Sequence, residues 1–201
     1  MNKQEIVNGY KKMRSDINST KDRLLFKIYS ATKKYFKDTP KEQLSFGGFI
    51  TETKIDDIIF ASLERTYAIT TKAVKELYNV ESNDKVEVAD LMYSGDGKTL
   101  YQRLQEHFDN ACGHGDPAQY MFNRCVLIVD TETACVSNGI IHSKVNKHAR
   151  YVEVLEGAEC ADLPASECEY WIKKGKIPIE ELEELPPYHP DCDCEVIYFI
   201  E

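Results

Sequence analysis

Tyr151–Leu155 (YVEVL) and Glu195–Ile200 (EVIYFI) decide the fold class, because almost everything before them reads as helix. Both are runs of β-branched and aromatic residues, the composition that fits a pleated, half-buried surface. Between them lie Pro164, Gly175, Pro178, the acidic run Glu180–Glu184 and Pro186-Pro187, which read as one irregular loop of about 40 residues. Two strands around such a loop bury little, so a staple is expected.

Working outward, Thr53–Tyr78 carries the strongest helical pattern. Ile55, Ile58, Ile59, Leu63, Thr66, Ile69, Ala73, Val74 and Leu77 share one face over seven turns, with Thr53 as the expected N-cap. The first 41 residues also read as helix, most clearly Lys21–Lys37, and Pro40 ends it. Leu44–Ile50, with Gly47 and Gly48, reads as a connection. Residues 79–95 read as a loop or short helix, and Ser94–Gly97 turn the chain into a helix marked by Leu100, Leu104, Phe108 and Cys112. After the break at Gly113–Pro117, a long helix from Met121 to Ile140 is expected to be interrupted near Thr131 or Gly139. The expected fold is α+β: a mainly helical bundle over residues 1–146, then a small β-containing C-terminal subdomain over residues 147–201 holding a Cys/His cluster.

The 201 residues suit one globular domain with a small satellite. The unbroken apolar run Cys125–Val129, which no other run exceeds, is far too short to span a bilayer, and no apolar signal core opens the chain, so no membrane association or export is expected. The net charge of −9 hides an asymmetry. Met1–Lys41 holds 11 basic against 4 acidic residues, whereas Tyr151–Glu201 holds 3 basic against 14 acidic. The basic face formed by Lys21, Arg23, Lys27, Lys33, Lys34 and Lys37 is therefore a candidate contact for DNA or an acidic protein surface, against the plainer reading of a solvated helix face.

Seven cysteines cannot all pair with one another, and without export the thiols are expected to be reduced. Cys112, Cys125 and Cys135 fall in helical patterns and read as small core residues. Cys160, Cys168, His189, Cys192 and Cys194 cluster near the C-terminus and are candidate zinc ligands. Cysteines at i and i+2 on extended chain point to one side, and Pro186, Pro187 and Pro190 restrict the approach. The alternative is a set of reduced, partly buried thiols beside a structural histidine.

Several of these segments together resemble a known family. Asp130-Thr131-Glu132-Thr133, the helix with Asn138-Gly139, the strand Tyr151–Val154, Cys160 and the closing PPYHPDCDC (Pro186–Cys194) are similar to the C-terminal domain of phage Mu F-like minor head proteins. Asp96-Gly97-Lys98-Thr99-Leu100 with Arg103-Leu104 resembles a segment common in phage minor capsid proteins. The resemblance spans roughly residues 90 to 200. It departs from the family at Leu163, where a second cysteine of a Cys-x2-Cys pair is usual, at Asp193 between the last two cysteines, and at Asp130 before Thr-Glu.

What the resemblance implies is a non-enzymatic structural protein of a tailed bacteriophage or prophage. It would associate with the portal protein and major capsid protein in the virion interior, contact phage DNA, and assemble in the host cytoplasm. The alternative class is a small metal-dependent hydrolase or nuclease using the C-terminal Cys/His cluster. Other catalytic patterns fail: a phosphate-binding loop ending at Gly97-Lys98-Thr99 would need glycine at Met92, a zinc deaminase would need glutamate two residues after His148, and no His-Glu-x2-His occurs.

Overall fold

The N-terminal helix α1 runs unbroken from Lys3 to Asp38, opened by a reciprocal capping box between Asn2 and Glu5 and closed at Thr39, just before Pro40. The coordinates are a computed structural model that describes residues 2–80, 86–92, 96–157, 167–188, 192 and 194–200. Ile6, Tyr10, Met13, Ile17, Leu24, Ile28 and Tyr35 form the buried stripe of α1, which packs against both long helices that follow.

The segment expected to be a connection instead contains a helix, α2 (Phe46–Thr53). Gly47 and Gly48 disfavour helix, but Phe46 and Phe49 are buried against Phe108, and Phe49 also meets Tyr35, so packing overrides propensity. Thr53 is consequently not an N-cap. It is the last residue of α2 and its hydroxyl donates back to the Phe49 carbonyl at 2.6 Å. Lys54, in the left-handed region at φ 54°, then turns the chain into α3 (Ile55–Tyr78).

α4 (Leu100–Ala111) starts with a capping box between Thr99 and Gln102. α5 (Pro117–Val145) starts at the N-cap Asp116, with proline in its first turn. It passes through Thr131 and Gly139 without interruption. No residue from Arg124 to Asn146 is exposed, so α5, not α3, is the central helix. Being covered on nearly every side, it lacks the one-sided pattern that marks a surface helix. Gly139 lets the 3-10 turn Val88–Leu91 rest close on α5: a Cβ would lie 2.7 Å from Cδ2 of Leu91, whose side chain would have to move.

The C-terminal part is a three-stranded antiparallel sheet in the order β2-β1-β3, formed by β1 (Tyr151–Leu155), β2 (Ile177–Pro178) and β3 (Glu195–Phe199). The segment read as irregular loop thus supplies β2, and also α6 (Glu167–Lys174), which packs on β1. The fold is α+β, a helical bundle followed by a small sheet, as expected. The sheet has no separate core. One buried cluster joins Ile6, Tyr10, Tyr78 and Val145 of the bundle to Val152, Trp171 and Tyr198 of the C-terminal part, crossing residue 146. A second cluster, around Ile28, Phe49, Leu63, Phe108 and Met121, fills the far end of the bundle.

Candidate metal centre

β3 lies at an edge of the sheet, where unpaired backbone groups would normally face solvent. Here the bundle covers them. Val196 N–H donates to Asn138 Oδ1 at 3.2 Å, the Tyr10 hydroxyl donates to the Val196 carbonyl at 2.9 Å, and Tyr198 N–H donates to the Tyr78 hydroxyl at 3.2 Å. Asn138 also donates from Nδ2 to the Cys194 carbonyl at 3.0 Å. His142 completes the seam: Asn146 Nδ2 lies 3.2 Å from its Nε2, which leaves Nδ1 to donate to the Tyr198 hydroxyl at 2.9 Å. Burial pushes the His142 imidazole down and the Tyr10, Tyr78 and Tyr198 phenols up, so the neutral forms that make these bonds are favoured.

This seam fixes the backbone that carries Cys192 and Cys194. α6 brings Cys168 to meet them on the buried face it shares with Trp171. All three sulfurs lie within 4.8 Å of one another and each side chain is at most 1% exposed. Cys168 Sγ and Cys192 Sγ are 3.6 Å apart, beyond the bonded S–S length of about 2 Å. It is close to the edge of about 3.8 Å expected for two thiolates on a tetrahedral zinc with Zn–S bonds of about 2.3 Å. The Cys192 thiol is lowered to about 5, chiefly by a hydrogen bond from the Cys194 thiol, against the opposing effect of burial. The Cys194 and Tyr188 backbone N–H groups and the Cys168 thiol add to the lowering. These residues form a buried cluster that could hold a metal, with the soft sulfur donors that thiolate-binding ions need and with Cys192 already favoured as thiolate.

Of the five predicted ligands, Cys168, Cys192 and Cys194 come together, while Cys160 and His189 lie outside the described residues. The helical cysteines behave differently: burial pushes Cys125 up to about 12 and also raises Cys112 and Cys135. Cys135, read as a plain core residue, stands one turn before Asn138, close enough to Cys192 for that charge to add to its shift.

The upstream motif segments are also joined. Arg103 of α4 forms a buried ion pair with Glu132 of α5, linking the segment beginning at Asp96 to the Thr-Glu segment. Asp130 pairs with Lys21 of α1 at 2.6 Å, both side chains being mostly buried. Lys21 is thereby committed within the fold. Arg23, Lys27, Lys33, Lys34 and Lys37 are exposed, and Arg23, Lys27, Lys34 and Lys37 lie on the outward face together with Phe26, itself 70% exposed. Lys33 Nζ lies 3.3 Å from the Tyr29 hydroxyl, and Lys34 approaches Asp38 at 3.9 Å.

Compared with known protein families, curated proteins and solved structures, the chain matches none. No helix among the described residues is long and apolar enough to cross a membrane.

Proposed function

We propose that this chain is a structural minor head protein of a tailed bacteriophage or prophage, associated with the portal and active in head assembly or DNA delivery rather than in catalysis. The observation that carries the reading is what the motif residues do. Arg103 and Glu132 hold each other, Gly139 seats the 88–91 turn, and Asn138 holds the strand that follows the final cysteines. Motif residues used up in joining segments of one scaffold support an architectural role. Cys192 supports it too, because a side chain 1% exposed offers a substrate no approach.

In this reading the cluster is a structural zinc clip, with Cys168, Cys192 and Cys194 as ligands and Cys160 or His189 as the fourth. Bound zinc would cross-link α6 to the start of β3 and supply part of the folding free energy of the C-terminal part. The basic face of α1 is the surface for DNA or the portal protein, and the major capsid protein is a further neighbour. Mass spectrometry of intact particles from the same genome tests the assignment, the expected result being this polypeptide as a low-copy virion component. Its absence from purified particles overturns the reading. Elemental analysis of the purified chain, expected to give one zinc per polypeptide, tests the clip separately.

A further inference from the structure

The thiol cluster permits a chemistry that needs no metal. Cys168 Sγ and Cys192 Sγ lie 3.6 Å apart, so a bond of about 2 Å between them requires the sulfurs to close by about 1.6 Å, within reach of side-chain rotation. The two residues stand 24 positions apart in sequence, one on α6 and the other on the approach to β3. Asn138, Tyr10 and Tyr78 hold β3 and the Cys194 carbonyl before it against the bundle, which keeps the second sulfur beside the first.

The same framework selects the pair. A bond between Cys192 and Cys194, separated by one residue, would have to bend a backbone whose Cys194 carbonyl Asn138 holds at 3.0 Å. Cys112 and Cys125 belong to the far core cluster. Burial also limits the oxidant. Each of the three clustered thiols is at most 1% exposed, so a molecule of a few atoms can reach them through a small local opening of the C-terminal part, whereas a bulky disulfide needs a larger one. A hydroperoxide meets that limit. One thiolate of the pair attacks the peroxide, breaking its O–O bond and becoming a sulfenic acid, while the departing hydroxide takes up a proton and leaves as water. The neighbouring thiol then displaces the sulfenic hydroxyl, which leaves as a second water, and the S–S bond forms. Each sulfur gives up one electron and the peroxide gains two. A partner sulfur already 3.6 Å away favours this second step over further oxidation to the sulfinic acid.

We propose that Cys168 and Cys192 are a reversible disulfide site, oxidised by hydrogen peroxide or a small alkyl hydroperoxide, and that the S–S bond takes the place of the metal in joining α6 to β3. The release of zinc on oxidation rests on the clip reading above, whereas bond formation needs only the two sulfurs.

The test exposes the reduced full chain to stoichiometric hydrogen peroxide beside a chromogenic zinc chelator, then alkylates the remaining thiols and maps the peptides. The expected product has five of its seven cysteines alkylated and a linked peptide joining Cys168 to Cys192, and dithiothreitol returns all seven to the alkylated form. Amide protection of α6 and β3 should survive chelation in the oxidised protein and fall in the reduced one. Cys168→Ser and Cys192→Ser should each abolish the linked peptide, and Cys194→Ser should retain it. Thiols that all remain free after peroxide overturn the proposal, as does a bond between other cysteines in place of this one. The mapping uses the unmodified chain, so it decides even if a variant fails to fold. Zinc released mole for mole with the disulfide supports both readings. The linked peptide in a chain that held no zinc supports the disulfide site and removes the clip, and zinc retained by thiols that resist peroxide does the reverse.

Discussion

Asn138 holds the chain on both sides of Glu195: its Nδ2 donates to the Cys194 carbonyl at 3.0 Å while its Oδ1 accepts from Val196 N–H at 3.2 Å. Asn138 is 1% exposed in the C-terminal half of the central helix, so a single carboxamide joins the bundle to the segment that carries the thiols. Both backbone groups belong to buried residues, where a hydrogen bond counts most.

Replacing Asn138 by alanine removes both bonds and leaves two buried backbone groups unsatisfied. The expected loss is about 2–4 kcal/mol, read as a lower urea midpoint with little change in slope. Amide exchange should quicken most at Val196. A loss within about 0.5 kcal/mol would mean that water replaces the carboxamide.

The Arg103–Glu132 pair calls for a double-mutant cycle. Arg103→Met or Glu132→Leu alone strands a buried charge and is expected to cost about 3–5 kcal/mol. The double variant should recover most of that loss, since two apolar side chains of similar volume need no partners. Thermal denaturation of the four proteins measures the coupling, and additive losses would show that the two side chains act independently.

The sequence revealed best what depends on local pattern. α1, α3, β1 and β3 follow from apolar spacing and β-branched runs, and the meeting of Cys192 with Cys194 follows from their i, i+2 spacing on extended chain. Other features depend on distant partners. α2 exists because Phe46 and Phe49 fill an aromatic cluster, which two glycines conceal in the sequence. The central place of α5 was hidden because a helix buried all round has no polar face. The polar seam made by Tyr10, Tyr78 and His142 had no sequence signature at all, being assembled from three helices against one strand. Cys168 could be suspected, but only α6, missed within an apparent loop, explains how it reaches the other two thiols.

Metal removal should act locally first. With a zinc-selective chelator under reducing conditions, or in Cys194→Ser, amide protection is expected to fall in α6 and β3 and next in the parts of α1 and α3 that carry Tyr10 and Tyr78, because these share a core cluster. The far cluster around Phe49, Phe108 and Met121 should keep its protection. Equal loss in both clusters would show that the chain unfolds as one unit.

Cys192 gives the metal-free, reduced protein a pH dependence of known sign. Its folded value of about 5 lies below the roughly 8.5 of an unfolded thiol, so between those values the unfolded chain binds more protons at this site. The contribution is fully present above the unfolded value and is lost as pH falls through about 5. Stability relative to Cys192→Ser should therefore rise with pH across this window, at no more than about 1.4 kcal/mol per pH unit for one proton. Urea midpoints of the two proteins compared pH by pH isolate the site from other titrating groups. A difference that stays flat would show that the neighbouring thiols and N–H groups do not stabilise the thiolate.

The exposed face of α1 separates charge from packing as the source of binding. Arg23, Lys27, Lys34 and Lys37 share the outward face while Lys21 is held by Asp130, so these four, unlike Lys21, are expected to contribute to counterion release on duplex DNA. Changing those four to glutamine should reduce the slope of log affinity against log salt by about 3–4, at about 0.9 per neutralised phosphate. Lys21→Gln should leave the slope nearly unchanged and lower the melting temperature instead. Phe26→Ala should leave the slope intact and alter affinity alone, because the ring carries no charge. Fluorescence anisotropy with the full chain at several salt concentrations measures all three, and a slope unmoved by the fourfold change would assign this face to an acidic protein surface instead.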